Sequence, residues 1–259
     1  MTIFVALYVS KSQTKKSTIK TIRRFVDSSN DKKNEVFYFQ QILDDVPQNL
    51  NWLSENEIAV LNQFRVTKRR NEWLLGRWTA KQAILRLFAK SQREVNVKLI
   101  EIIAADDGAP DIFINGRLSV YPLSLSHSHN RAVCLIGKNG IPLGCDIEKI
   151  EDRSMAFIRD YFTNDEMHRV LNTVESKRPS IANLIWSAKE SVLKALRQGL
   201  RIDTRQIEMI DLIEHENSGV FIIEFKKNKS LYKGQFFYSD NFVFTFVMNA
   251  QNWILSELK

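Results

Sequence analysis

One stretch of this 259-residue chain is written twice. Trp78-Thr-Ala-Lys-Gln-Ala-Ile-Leu85 and Trp186-Ser-Ala-Lys-Glu-Ser-Val-Leu193 are identical at four of eight positions and lie 108 residues apart. Upstream, Ser54-Glu-Asn-Glu57 matches Thr163-Asn-Asp-Glu166 at an offset of 109. Both have the Ser/Thr-x-x-Glu form of a capping box, which satisfies the first free N–H groups of a helix. Downstream, Leu99-Ile-Glu-Ile-Ile103 resembles Gln206-Ile-Glu-Met-Ile210. Ser128-His-Asn130 precedes the apolar run Ala132–Ile136, and Ser239-Asp-Asn241 precedes Phe242–Met248. Matches in one order at one spacing mark an internal repeat. Each copy reads as a capped helix, a long helix, a strand and further strands. The predicted fold is α+β: two similar halves, residues 1–137 and 138–259, packed as a pseudo-twofold pair in one chain. A site at their seam would draw residues from both.

Composition supports an ordinary globular protein. With 44% apolar and 26% charged residues, collagen, low-complexity disorder and a disulfide scaffold are excluded. Two cysteines, Cys134 and Cys145, predict a reducing, cytoplasmic setting. No apolar run reaches the ~18 residues of a membrane span, so no membrane association is expected. The apolar start Met1–Val9 lacks a basic flank and predicts a first strand rather than a signal peptide. Lys11–Lys20 reads as a loop with helix following towards Val26, and Glu35–Gln40 as a strand. The net charge of +7 suits nucleic acid, a phosphorylated cofactor or an acidic protein, and equally a merely soluble basic protein.

Four polar clusters can carry chemistry. In Gly144-Cys-Asp146-Ile-Glu148, alternation on a strand puts two carboxylates on one face. Carboxylates that close repel unless a cation or proton intervenes, and Mg²⁺ binds through a few carboxylates plus water or phosphate oxygens. A solvated strand face offset by Lys149 explains the same residues. On a helix, Trp186, Glu190 and Lys194 share a face at i, i+4 and i+8. Glu190 is then a possible third ligand and Lys194 a phosphate contact, or the two are a surface pair. Glu190 stands where the first copy has Gln82, so the acid exists in one half only. Ser126-His127 ends a polar-apolar alternation and suits phosphate binding or a plain strand end. Zinc is disfavoured because His127 and His129 have no further ligand at a usual spacing. Lys68-Arg69-Arg70 with Arg77 and Lys81 form a phosphate cradle or a wet helix face.

The order and spacing of these clusters are specific together. Ser126-His127, Gly144-x-Asp146-x-Glu148, Phe162-Thr163-x-x-Glu166 and Trp186-x-x-Lys189-Glu190-x-x-x-Lys194 resemble the 4'-phosphopantetheinyl transferases. The length and duplication resemble the Sfp-type branch, a pseudo-dimer in one chain. The resemblance spans about residues 50–250 and is strongest over 124–200. It implies transfer of the phosphopantetheine arm of coenzyme A to a serine of an acyl or peptidyl carrier protein, with adenosine 3',5'-bisphosphate released. It implies Asp146, Glu148 and Glu190 as ligands of Mg²⁺, with Mn²⁺ as the alternative. Ser126 and His127 would contact nucleotide phosphates. Lys189 and Lys194 would meet the pyrophosphate, Lys194 serving the leaving group, and Glu190 would take the serine proton.

Two departures stand out. Relatives often carry Lys or Arg in a Gly-Lys-Pro segment where this chain has Gly108-Ala109-Pro110. The capped helix Ser54–Leu61 also lacks the lysines some relatives use for the 3'-phosphate; Arg69, Arg70 or Lys81 would substitute. A metal-dependent phosphodiesterase and a basic nucleic-acid-binding protein are the alternatives. The first is disfavoured because Glu148 stands where nucleases place Lys, and the second because no RNA-binding signature appears. The expected protein is a cytoplasmic monomer that binds coenzyme A and a carrier protein, not nucleic acid or membrane.

Overall fold

The computed structural model describes residues 34–138, 140–249 and 252–259. The expectations for Met1–Val9, Lys11–Lys20 and the helix to Val26 lie outside them. In chain order the elements are β1 (Asn34–Ile42), α1 (Glu55–Leu61), α2 (Thr67–Ala89), β2 (Ile100–Ala104), β3 (Pro110–Ile114), β4 (Arg117–Leu118), β5 (Leu123–Ser128), β6 (Arg131–Gly137) and β7 (Leu143–Lys149). Then follow α3 (Met155–Tyr161), α4 (Asn164–Leu171), α5 (Arg178–Ala195), β8 (Ile207–His215), β9 (Ser218–Phe225), β10 (Ser230–Ser239), β11 (Phe242–Met248) and β12 (Trp253–Glu257). No helix among the described residues is long and apolar enough to cross a membrane.

The strands form three sheets, ordered β12-β1-β6-β5, β7-β11-β10-β9-β8 and β2-β3-β4. The antiparallel run β1-β6-β5 therefore has its counterpart in β7-β11-β10. Matching turns close the matching hairpins. His129 and Asn130 join β5 to β6, and Asp240 and Asn241 join β10 to β11. All four have positive φ, from 48° to 66°. Two-residue hairpins of type I' require that backbone at both central positions, and Asn and Asp tolerate it. The strands that leave these turns, β6 and β11, are buried on both faces, which their unbroken apolar runs anticipate. Helix α2 packs Ala80, Ala83, Ile84 and Leu87 against the first sheet, and α5 packs Leu184, Ile185, Val192 and Leu193 against the second. Strand β12 departs from a division at residue 137: it pairs in parallel with β1, so the end of the chain joins the first sheet.

The repeated motif makes one interaction twice. In the first copy, the Lys81 ammonium lies 2.5 Å from Glu57 and donates to the carbonyls of Trp52 and Val97. Glu57 also accepts from the Ser54 and Ile102 backbone N–H groups. In the second, Lys189 lies 2.6 Å from Glu166 and donates to the carbonyls of Tyr161 and Thr204. Glu166 accepts from the Thr163 and Met209 N–H groups. The capping hydroxyls complete the parallel, Ser54 donating to Glu101 and Thr163 to Glu208. Each unit ties a short helix, a long helix and a strand at one point.

This corrects the expectation that Lys81 and Lys189 meet cofactor phosphates. Neither side chain has any exposed surface, and each ammonium already has three partners. Burial pushes the Lys189 ammonium down and the Glu166 carboxyl up, each offset in part by the other's charge. Removing one member of a buried pair leaves a charge with no partner, at a cost of about 3–5 kcal/mol. Lys189→Met is therefore expected to destabilise by that order in urea unfolding. Adding Glu166→Gln should recover much of the loss; an unchanged midpoint in the single variant would contradict the pinning role.

Candidate active site

Helix α5 crosses β7 at Gly144, and the strand residue there has to be glycine. A Cβ on Gly144 would lie 1.9 Å from the Ser191 carbonyl oxygen and 2.8 Å from the Ala195 nitrogen. Glycine inside a strand marks such a close backbone approach. The helix is also fixed to β11 by buried hydroxyls: the Thr245 Oγ1 lies 2.8 Å from the Ser187 hydroxyl and 2.6 Å from that of Ser191. These contacts bring the outer end of α5, with Glu190 and Lys194, over Asp146 on β7.

Asp146 is the centre of the site. Its side chain is 5% exposed. One oxygen, Oδ1, accepts from the Ser126 hydroxyl at 2.7 Å and the Lys194 ammonium at 2.7 Å. The other, Oδ2, is buried and has no hydrogen-bond partner. Buried carboxylate oxygens are rarely left so, and an unsatisfied one asks for an ion or water. Lys194 also donates to the Cys145 carbonyl. Burial alone would lower the Lys194 pKa, but Asp146, Cys145 and Glu190 more than reverse that, so it is raised and the cation is secure.

Two further carboxylates feel Asp146. Glu148 accepts from Arg153 at 2.9 Å and from the Trp186 indole N–H at 3.0 Å. Arg153 is held in turn by Asn183. Trp186 thus serves the site as well as the core, where it packs on Phe157 and Tyr161. Burial and then the Asp146 charge push the Glu148 carboxyl up to about 7, against Arg153. Burial and Asp146 also raise Glu190, with Lys194 opposing. Glu190 makes no hydrogen bond or ion pair with the described residues. The three acids are not drawn together, however: no three His, Cys, Asp or Glu side chains among the described residues form a group that could hold a metal ion.

Beside the acids lies a cleft of about 340 Å³, lined by Arg69, Trp73, Arg77, Gly108, Pro110 and His127 among others. Arg77 stacks over Trp73 at 4.8 Å. Its Nε is buried without a hydrogen-bond partner, and burial lowers the guanidinium pKa to about 10 against the pull of Glu57. The basic cluster is thereby sorted. Arg69 and Arg77 face the cleft, Arg70 is outside its lining, and Lys81 is committed to Glu57. Ser126 donates its hydroxyl to Asp146 and so helps to hold the acid. A helical count does not separate Arg70 from Arg77, which lie seven residues apart on one face; what packs around each does.

Comparison with known proteins now has a geometry to meet. The sequence signature of the 4'-phosphopantetheinyl transferase superfamily matches residues 142–247. A holo-[acyl-carrier-protein] synthase of Oceanobacillus iheyensis is 37% identical over 82 residues, covering 31% of this chain and 68% of that protein. The chain belongs to the 4'-phosphopantetheinyl transferase superfamily. A holo-[acyl-carrier-protein] synthase of Streptococcus agalactiae is also 37% identical, over 83 residues, covering 31% of this chain and 67% of that one. The 4'-phosphopantetheinyl transferase gsp of Aneurinibacillus migulanus is 29% identical over 79 residues, 30% of this chain and 32% of its own length. The solved holo-[acyl-carrier-protein] synthase of Thermotoga maritima overlaps 49% of this chain and 74% of its own at 21% identity, and its TM-score of 0.34 carries no weight. The chain is thus an enzyme of the transferase class. The signature takes in β7, α5 and β11, and with them Asp146, Glu148, Glu190 and Lys194. The cleft residues Arg69, Arg77 and His127 precede it.

The raised Glu148 makes a stability prediction. Its ordinary value is 4.5 and its value in the fold is about 7. Between those two pH values the folded protein keeps a proton that the unfolded chain releases. Stability therefore falls as pH rises through that window. Glu148→Gln should remove this component. The wild type should lose ~1–3 kcal/mol relative to the variant between pH 4.5 and 7.5 in metal-free buffer. Parallel stability–pH curves would show that Glu148 ionises freely.

Proposed function

We propose that this enzyme moves the 4'-phosphopantetheine arm of coenzyme A onto a serine of an acyl or peptidyl carrier protein, with Mg²⁺, and releases adenosine 3',5'-bisphosphate. The observation that carries the reading is the buried Asp146 oxygen left without a partner, on a carboxylate that Lys194 holds and whose charge reaches Glu148 and Glu190. Family membership supports the reaction, and the holo-[acyl-carrier-protein] synthases among the relatives support the acceptor. The phosphodiesterase and nucleic-acid readings have no comparable support.

The donor set suits a hard cation. Asp146, Glu148 and Glu190 supply only carboxylate oxygens, which Mg²⁺ and Mn²⁺ prefer. Asp146 and Glu190 have oxygens to spare, whereas Glu148 would have to share with Arg153 and Trp186. When bound, the ion would neutralise charge on the pyrophosphate oxygens. The rest falls to the chain's own groups. Arg77 and Arg69 would bind the nucleotide phosphates in the cleft, with His127 beside them. Ser126 orients Asp146. The carrier serine attacks the phosphorus that bears the pantetheine arm, and the bond from that phosphorus to the nucleotide phosphate breaks. Glu190 would receive the serine proton, and Lys194 would stabilise the leaving phosphate. Such a step needs positioning and charge more than covalent help.

The architecture is read the same way. We take residues 1–137 and 138–259 as two α+β halves related by a pseudo-twofold axis, with the site between them and the chain a monomer. The twin Lys–Glu pins, the twin hairpins and the matched strand orders support this. Both β5 and β7 contribute at the centre, through Ser126 and Asp146, and again where Ser124 bonds the Cys145 N–H.

The direct test is the intact mass of an apo carrier protein incubated with enzyme, coenzyme A and Mg²⁺. A gain of about 340 Da, absent with EDTA, is expected for a transferred arm, as the transferring step requires a cation to neutralise phosphate charge. Asp146→Ala should abolish the gain while the protein remains folded. Lys194→Ala should lower kcat by more than it raises KM for coenzyme A. A fully active Asp146→Ala protein would overturn the site.

A further inference from the structure

Next to the cleft lining the chain carries negative charge that something must answer. The turn between β2 and β3 brings Gly108 and Pro110 to the cleft lining. Asp107 and Asp111 flank those two residues. Left alone, two carboxylates would stand next in the chain to two lining residues of a cleft that already includes Glu72. An anion entering towards Arg69 and Arg77 would be repelled.

Both aspartates are met by one residue from the other half of the sequence. Arg197 grips Asp107 with two N–H groups, at 2.7 and 3.0 Å, and reaches Asp111 with a third at 3.0 Å. Arg201 donates to the Asp107 carbonyl at 2.9 Å. Asp107 in turn accepts from the Ala109 N–H, so the turn is held as well as neutralised. Two-point contacts of this kind fix geometry as well as charge.

The backbone places Arg197 at a helix end. Arg197 follows the C-terminus of α5 and has φ of 54°. Its N–H bonds the Lys194 carbonyl, and the next N–H bonds that of Leu193. That is the helix-ending position where glycine is the usual residue, because a side chain there is disfavoured. Gln92 ends α2 in the same way, with φ of 53°, so the backbone is common to both copies and only the side-chain contacts are particular to Arg197. It also lies three residues beyond Lys194, so it links the cleft rim to the helix that carries the candidate catalytic groups.

We infer that Arg197 is a specificity-determining positioning residue: by holding Asp107 and Asp111 it keeps the cleft mouth open to an anionic co-substrate. The inference rests on the proposed binding of coenzyme A in this cleft. It assigns Arg197 no contact with the reacting atoms.

Coenzyme A binding to the metal-loaded wild type and to Arg197→Gly, measured by calorimetry, provides the test, with steady-state kinetics alongside. Arg197→Gly suits the backbone, so its melting temperature should stay within a few degrees of the wild type. Its affinity for coenzyme A should fall about tenfold, in KM and not in kcat, as unmasked like charges act on binding. The deficit should shrink at high salt, which screens exposed charges. Adding Asp107→Asn and Asp111→Asn should restore most of the affinity, which a merely structural arginine would not allow. An Arg197→Gly protein that binds coenzyme A as the wild type does overturns the inference alone. A triple variant no better than the single one also overturns it. A wild type that does not bind coenzyme A overturns the functional reading and the inference with it.

Discussion

A lysine ammonium shut away from water needs a carboxylate and carbonyls in its place, and this protein provides that arrangement twice. Lys81 and Lys189 have no exposed side-chain surface, and their partners Glu57 and Glu166 have 2% and 0%. Such a pair adds little net stability over a well-packed apolar substitute. What it does is fix position. Each glutamate is the third residue of its helix, where it closes the capping box, and also accepts from a strand N–H. Sliding the long helix against the short one, or the strand against either, would strand a charge in the interior. The long helices are therefore held in register with the sheets they cover, and the functional side chains inherit that register.

Held in this way, α5 brings one carboxyl, Glu190, and a lysine, Lys194, to the two carboxyls of β7, Asp146 and Glu148. Burial and then the Asp146 charge raise both Glu148 and Glu190, and one Asp146 oxygen is left over. The first copy shows the neutral alternative. There Gln82 occupies the place of Glu190, Arg86 that of Lys194, and the two bond each other at 2.7 Å. One copy of the motif is internally satisfied and the other is not. The unsatisfied copy is the one that contains the family's signature.

Much of this was legible in the sequence because the repeat acts as a comparison of the chain with itself. The capping boxes, the hairpin turns, β11 and the shared face of Trp186, Glu190 and Lys194 all follow from local pattern. Less legible was which lysine is which. Lys189 and Lys194 are the same letter on one helix, and burial, which separates them, depends on what packs around each. A signal was present: Lys81 and Lys189 occur in both copies together with their glutamates, as expected of something each copy needs in order to fold. Ser126 illustrates a different limit. Its hydroxyl belongs to Asp146, twenty residues away on a neighbouring sheet, and no local pattern foretells that bond. The clamp of Arg197 on Asp107 is longer still in sequence, and it depends on a turn and a helix end that only the tertiary fold brings together.

The parallel pairing of β12 with β1 bears on how such a molecule is inherited. A doubled gene can in principle be divided again into two shorter ones whose products associate. Here the last strand of the chain has crossed into the sheet that holds β1 and β6, pairing from Asn34 opposite Trp253 to Tyr38 opposite Glu257. A fission near residue 137 would take from one product the neighbour of its outer strand and leave the other with an unpaired tail. The exchange of a single strand ties the first sheet to the last described residues of the chain.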